Sequence, residues 1–165
     1  MDITNDWAHA SEHRGSVTER QEYTYNGVTY KADGKHVVLR PTEQERRVAA
    51  ALSEKYGKEV ELIPQILYPP NIQTPDYMID GKLFDLKTLT GQGKNLLYGA
   101  IAKKRRQAHN FIVDVTHCPL SKEELERQIS DLYRSPRVGF LDKLVLMKHG
   151  EIIKAYARKQ KGNRP

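Results

Sequence analysis

The sequence has very little cysteine and no long apolar run. Its single cysteine, Cys118, cannot form a disulfide within the chain, which fits a reducing compartment or a domain that needs no covalent bridge. One cysteine also excludes a zinc site built from several thiolates. No apolar run approaches the roughly 18 residues of a membrane-spanning helix, and the first 15 residues lack the basic-then-apolar pattern of a signal peptide. We therefore expect no membrane span.

Positive charge, in contrast, is in excess. The 165 residues include 27 Lys and Arg against 21 Asp and Glu, which gives a formal net charge of +6. Such a balance favours a polyanionic partner, most commonly nucleic acid, with ordinary surface solubility as the alternative. The length suits one domain. We predict an N-terminal extension with a short hairpin at residues 1–35, a compact domain at 36–158 and a basic tail at 159–165.

The N-terminal extension has one clear structural signal. Asn26-Gly27 is a preferred pair for a two-residue type I′ turn, and strand-forming Tyr, Thr and Val flank it, so a hairpin is predicted over residues 23–30. Residues 1–20 are polar without a sustained period, and we expect disorder or loose packing there.

The compact domain alternates helices and strands. Thr42 and Glu45 form a capping-box pattern and Gly57 is suited to a C-cap, so the first helix is predicted at 42–57. The remaining predicted elements follow in chain order: a strand at 59–68 interrupted by Pro64, a hairpin at 74–89, a helix at 95–110, a buried strand at 111–116, a helix at 121–135, and a closing hairpin that turns at His149-Gly150. This order predicts an α/β (α+β) domain with a central mixed sheet flanked by helices.

The hairpin TPDYMIDGKLFDLKT, residues 74–88, carries charge where apolar residues would stabilise it better. A turn at Asp80-Gly81 would place Tyr77 opposite Phe84 and Asp76 opposite Asp85. Because side chains alternate along a strand, Asp76, Asp85 and Lys87 are predicted on one face.

Two opposed carboxylates repel each other, and a divalent cation would compensate. Carboxylate oxygens are ligands that Mg²⁺ accepts, and a neighbouring ammonium can stabilise developing negative charge or orient an attacking water. We therefore predict that Asp76 and Asp85 bind a divalent metal, Mg²⁺ first and Mn²⁺ or Zn²⁺ as alternatives, with Lys87 as a catalytic residue. The alternative is that these three residues are ordinary exposed strand and turn residues.

Pro75-Asp76 followed by Asp85-Leu86-Lys87 resembles the PD-(D/E)XK nuclease motif. The longer stretch from TPDYMIDGKLFDLK to FIVDVT is similar to C-terminal toxin domains of contact-dependent growth inhibition and related polymorphic toxin systems, over about residues 36–158. The resemblance implies a restriction-endonuclease-like core and a bacterial nuclease toxin, often one that cuts tRNA in the cytoplasm of a target cell. It also implies a cognate immunity protein and delivery within a larger secreted protein.

The same resemblance implies a further acidic ligand from the first helix. Glu45 is the first candidate for metal binding and catalysis, with N3 of the capping box as its alternative role, and Glu43 and Glu54 are lesser candidates.

Several basic residues are candidates for binding substrate. Lys94 lies in the glycine-containing turn GQGKN, and the densest basic run is formed by Lys103, Lys104, Arg105 and Arg106. Either group can contact phosphates, or simply remain solvated. Gln107 or Asn110 could reach the active face, and the residues leave this undecided.

The six histidines show no metal-ligand spacing. His109 and His117 are the ones to test as a general base, and Asp114 is predicted to have a structural role in capping or ion pairing.

The prediction for the whole chain is metal-dependent hydrolysis of nucleic acid, with RNA, specifically tRNA, favoured by resemblance over DNA. The alternatives are a DNase of the same fold, a metal-independent toxin ribonuclease of the barnase and colicin type, and a non-catalytic nucleic-acid-binding module.

Overall fold

The computed structural model describes residues 1–159; most of the predicted basic tail, residues 160–165, lies outside the described residues. The helices it contains are α1 Thr4–Trp7, α2 Glu43–Tyr56, α3 Leu96–Ile101 and α4 Lys122–Arg134, with a short 3₁₀ turn at Pro136–Val138. The strands are β1 Val17–Glu19, β2 Glu22–Tyr25, β3 Val28–Lys31, β4 Val37–Val38, β5 Val60–Leu62, β6 Gln65–Ile66, β7 Tyr77–Ile79, β8 Lys82–Thr88, β9 Asn110–Asp114, β10 Leu144–Lys148 and β11 Glu151–Tyr156.

A seven-stranded mixed sheet organises the molecule, in the order β1-β5-β7-β8-β9-β10-β11. The pairs β1/β5, β8/β9 and β9/β10 are parallel, whereas β5/β7, β7/β8 and β10/β11 are antiparallel. Strand β9 is central and buried, as its near-continuous apolar sequence predicts. The predicted mixed α/β (α+β) class, with a central mixed sheet and flanking helices, is confirmed.

Two apolar cores cover the two faces of this sheet. Helix α2 packs on one face, where Val48, Leu52 and Tyr56 meet the inward residues of the hairpin. Helices α3 and α4 pack on the other face. Helix α2 begins and ends as predicted, since the Thr42 hydroxyl accepts a hydrogen bond from the Glu45 amide and Gly57 adopts a left-handed φ of 66°.

The third helix is shorter than predicted. The chain leaves the helical conformation after Ile101, so the prediction of a helix over 95–110 is wrong beyond that residue. The next residues turn back toward the sheet, where Gln107 hydrogen-bonds to β8 and Ala108 is buried. Those tertiary contacts outweigh the helix propensity of the intervening lysines and arginines.

The N-terminal residues also differ from expectation. The predicted hairpin is present as β2 and β3, with Asn26 and Gly27 at positive φ. Residues 1–19, however, are not loosely packed: β1 pairs with β5 in the main sheet, and the Trp7 side chain is only 8% exposed and lies against Phe84. The boundary at residue 35 remains a prediction. Within residues 1–159, no helix has the length and apolar character needed to cross a bilayer.

Candidate active site

The hairpin β7–β8 has the register that its turn dipeptide predicts. Tyr77 pairs with Phe84, and both central turn residues have positive φ, 47° at Asp80 and 80° at Gly81, as a type I′ turn requires. Tyr77, Ile79 and Phe84 are buried in the core beneath α2. The opposite face of β8 is therefore left for Asp85 and Lys87.

Asp85 and Lys87 form a nearly buried ion pair. The Lys87 Nζ lies 2.6 Å from Asp85 Oδ2, and the side chains are only 17% and 2% exposed. Two charges are removed from water here, which costs free energy that an apolar pair would not cost. An ammonium held this firmly beside a carboxylate is suited to a site that handles negative charge.

Asp76 lies immediately before β7 and faces this pair. Its Oδ2 accepts a hydrogen bond of 2.8 Å from the Leu86 amide of β8. Burial, the charge of Asp85 and the hydrogen-bonding contact between the two carboxyl groups raise the pKa of Asp76 to about 8, although the Leu86 amide opposes this. Asp76 therefore keeps its proton to a higher pH than an ordinary aspartate when no cation is bound.

The donor chemistry of this pair fits a hard divalent cation. Asp76 and Asp85 offer carboxylate oxygens, and a cation between them would offset the repulsion by Asp85 that, after burial, raises the pKa of Asp76.

Gln107 completes the constellation. Its Nε2 donates to Asp85 Oδ1 at 3.1 Å and to the Thr74 carbonyl at 3.0 Å, while its Oε1 lies 3.5 Å from Lys87 Nζ. The side-chain amide of Gln107 thus contacts both Asp85 and Lys87. Asn110, the other candidate, has a structural role instead, since it donates to the Leu83 carbonyl and accepts from the Lys143 amide.

Residues 73–152 match the family model of the contact-dependent growth inhibition CdiA C-terminal domain. This CdiA-matching segment contains Asp76, Asp85, Lys87 and Gln107. A comparison with curated proteins gave no match. Among solved structures, the chain is similar to a CdiA-CT/CdiI toxin and immunity complex from Burkholderia pseudomallei, with 22% identity and a TM-score of 0.50 over 86% of this chain and 99% of that one.

The two comparisons are compatible with each other. At 22% identity the structural likeness shows the fold, and the family model of the CdiA C-terminal domain matches residues 73–152. The PD-(D/E)XK assignment remains a prediction.

Glu45 lies outside the CdiA-matching segment but close to its acidic pair. Burial raises the pKa of Glu45, hydrogen bonds from Thr42 lower it, and the charge of Asp85 raises it further. Its carbonyl accepts a hydrogen bond of 2.6 Å from the Tyr77 hydroxyl. Glu45 therefore has the capping role, and its carboxyl group also interacts with the charge of Asp85. Glu43 and Glu54 are exposed.

A three-residue metal cluster is not assembled. Within residues 1–159, no group of three or more His, Cys, Asp or Glu side chains is arranged to hold a metal ion. The two aspartates thus remain the candidate ligands, and Glu45 as a third ligand remains a prediction.

The basic run of the CdiA-matching segment lies directly beside the site in the chain. Lys103, Arg105 and Arg106 are exposed and Lys104 is half-buried, in the turns that lead into Gln107. Gln107 contacts Asp85, and these four basic residues precede Gln107 by one to four positions in the chain.

Lys94 lies elsewhere in the CdiA-matching segment, in a cavity of about 510 Å³ that Tyr98 and Arg137 also line. The loop of Lys94 is expected to contact phosphate. The Leu97 amide at the start of α3, however, already donates a hydrogen bond to the buried Gln128 side chain.

The histidines divide between two surroundings. His109 is exposed and lies against Phe140, with ring centroids 5.8 Å apart. His117 and His149 line one polar cavity with Asp114. Asp114 has the structural role predicted for it, since it accepts hydrogen bonds from Gln44 and from Thr116.

Proposed function

We propose that this protein is a metal-dependent nuclease toxin that hydrolyses phosphodiester bonds of RNA. The proposal depends on the arrangement of three side chains at β8. Lys87 Nζ lies 2.6 Å from the buried Asp85 carboxylate, and the Leu86 amide holds the Asp76 carboxyl group facing this pair.

Each residue of this group has a role that its contacts support. Asp76 and Asp85 would hold the divalent cation, Mg²⁺ first, with Mn²⁺ and Zn²⁺ as alternatives. The cation, when bound, would supply Lewis-acid stabilisation of phosphate charge. Lys87 offers its ammonium to the negative charge that develops on the phosphate. Gln107 holds Asp85 and Lys87 in place through its amide.

The substrate class follows from charge. The net charge of +6 and the cations of residues 103–106 suit a polyanion that must approach Asp85. The choice of RNA over DNA, and of tRNA within RNA, depends on the resemblance to toxin domains and not on these contacts.

The toxin class implies a partner and a place of action. The similar structure from Burkholderia pseudomallei is a complex of toxin and immunity protein. We propose by analogy that a cognate immunity protein neutralises this chain, with an acidic surface that complements its basic one. We further propose delivery as part of a larger secreted bacterial protein and action in the cytoplasm of the target cell.

The decisive experiment incubates the protein with total RNA and with plasmid DNA, with Mg²⁺ and with EDTA. We expect RNA cleavage that EDTA abolishes and that Asp85→Asn reduces by at least about a hundredfold. Lys87→Ala is tested in the same assay. Its matched control is Lys82→Ala, which removes an exposed ammonium from the same strand.

The remaining outcomes identify the alternatives. Plasmid cleavage without RNA cleavage favours the DNase, and cleavage that persists in EDTA favours the metal-independent ribonuclease. Binding of RNA with no cleavage in any metal contradicts the enzyme and favours the binding module.

A further inference from the structure

A polar cavity of about 390 Å³ lies at the carboxyl ends of β8, β9 and β10, where Arg47, His117 and His149 line it. We infer that this cavity, the Arg47–His117–His149 cavity, is a phosphate-binding subsite that holds the nucleic-acid backbone beyond the cleaved bond. The identity of the ligand as nucleic acid rests on the proposed function, whereas the anion site itself does not.

Gln44 ties the cavity to the active-site elements. Its Nε2 donates to Thr88 Oγ1 at 2.7 Å and to Asp114 Oδ2 at 3.0 Å, which links the first turn of α2 to the ends of β8 and β9. Thr88 directly follows Lys87, and Gln44 directly precedes Glu45. The cavity therefore adjoins both elements one residue further along the chain, although alternation turns Thr88 to the α2 side of β8 and Lys87 to the other side.

The acidic group in the wall of this cavity is already satisfied. Asp114 Oδ1 accepts from the Thr116 amide at 2.9 Å and from its hydroxyl, and Oδ2 accepts from Gln44. Burial alone would raise the pKa of Asp114, but these hydrogen bonds and the charge of His117 lower it. Asp114 thus fixes the wall of the cavity, and both of its carboxylate oxygens accept hydrogen bonds from the protein.

The basic side chains of the cavity are open to a ligand. Arg47 is exposed and forms no ion pair with any residue of the described range 1–159, whereas the adjacent Arg46 pairs with Glu19 at 3.4 Å. His117 and His149 are exposed.

The nearest acid to His149 along the chain is also engaged. Glu151 pairs with Lys55 at 2.7 Å, and this contact lowers the pKa of Glu151 more than the charge of His149 does.

The backbone holds one of these histidines at the cavity mouth. His149 occupies the left-handed turn between β10 and β11 at φ 51°, and its amide donates to Thr116 Oγ1 at 3.0 Å. A guanidinium can bind phosphate through two parallel hydrogen bonds, and imidazoles add one donor each. Because the Arg47 guanidinium offers donors and no acceptor, this donor set favours an anion with several oxygens over a metal ion.

The first test uses inorganic phosphate and does not depend on nuclease activity. Phosphate is titrated into the wild-type protein while the histidine ring resonances are followed by NMR. We expect saturable shifts of His117 and His149 but not of the exposed His9 and His13, and an apparent affinity that falls at least about fivefold in Arg47→Ala. Arg46→Ala, with the same charge loss on the same helix, should leave the affinity within about twofold.

The second test measures RNA binding by the Asp85→Asn protein at several salt concentrations. Arg47→Ala should weaken binding and reduce the slope of log K against log salt by about 0.7, the loss of one contact to a single strand. Arg46→Ala should change neither quantity.

The outcomes separate this inference from the proposed function. Phosphate shifts that respond to Arg47 without any RNA binding would support the anion site and contradict the nucleic-acid ligand. RNA cleavage with no response of His117 or His149 to phosphate, and with equal salt slopes for Arg46→Ala and Arg47→Ala, would overturn the subsite and leave the nuclease intact.

Discussion

Asp76 is the residue at which function and stability oppose each other. Burial and Asp85 raise its pKa above the unfolded value of 3.8, so the folded, metal-free protein binds this proton more tightly than the unfolded chain. The free energy of unfolding therefore decreases as pH rises from about 4 toward about 8, because the unfolded chain releases the proton first.

Asp76→Asn should remove this loss of stability. The Asn carbonyl can still accept from the Leu86 amide, and its amide can donate to Asp85. We expect the variant to exceed wild type by about 1–3 kcal/mol in free energy of unfolding near pH 8 in EDTA. The difference should shrink as pH falls and vanish only at and below about pH 4, as measured by urea denaturation. Mg²⁺ should stabilise wild type more than the variant. Glu123→Gln, at the exposed start of α4, is the control. If wild type, measured against this control, is as stable near pH 8 as near pH 5, this account is contradicted.

Gln107 should act as a positioning residue for Asp85 and Lys87. Gln107→Ala removes three contacts at once, and we expect Mg²⁺ affinity and cleavage rate to fall about 10–100-fold. The measurement is the cleavage rate against Mg²⁺ concentration, with Gln92→Ala in an exposed loop as the control. A reduced rate with unchanged Mg²⁺ dependence would argue that Gln107 supports the fold rather than the metal ligand.

Local pairing made Asp76, Asp85 and Lys87 predictable, because one turn dipeptide sets the register of all three. Gln107 was only one of two candidates. Its position depends on where α3 ends, and α3 ends where tertiary contacts, not local propensity, stop it. The residues that line the cavity around His117 and His149 come from three separate segments, so no local sequence pattern indicates it.

Among the elements, the β7–β8 turn is the one that sets the site. Gly81 has φ 80°, and a Cβ there would meet no atom within 4 Å, so Gly81→Ala tests backbone conformation alone. We expect a loss of about 1 kcal/mol in free energy of unfolding by urea denaturation. Gly93→Ala also adds a methyl to open space but has no positive φ, and it should have almost no effect. Equal effects of the two substitutions would contradict the turn argument.

Capping residues explain why α2 and α4 were predictable to within a residue, since Thr42 and Ser121 each accept the N3 amide. Helix α3 has no side-chain cap at Asn95, and residues 102–110 contain no proline or glycine to mark its end.

At the scale of the whole molecule, residues 1–19 join opposite edges of the sheet. The Ile3 amide donates to the Ala155 carbonyl of β11 at 2.8 Å, while β1 adds a strand beside β5. Trp7 lies between these contacts, buried against Phe84, and Lys58 Nζ is 4.1 Å from its ring centroid. A single buried aromatic in a polar segment gives no periodicity, which is why the packing of this segment could not be predicted.

This arrangement predicts that the domain is not independent of its first residues. Trp7→Ala should cost about 3–5 kcal/mol in free energy of unfolding, because it opens a cavity behind Phe84, the neighbour of Asp85. Val28→Ala, at a half-exposed position of the separate β2–β3 sheet, should cost under about 0.5 kcal/mol. A fragment of residues 36–158 should lack a cooperative urea transition, since it loses both β1 and Trp7. A fragment that unfolds cooperatively with a midpoint near that of the whole chain would instead restore the boundary at residue 35, and with it an active site that needs no N-terminal support.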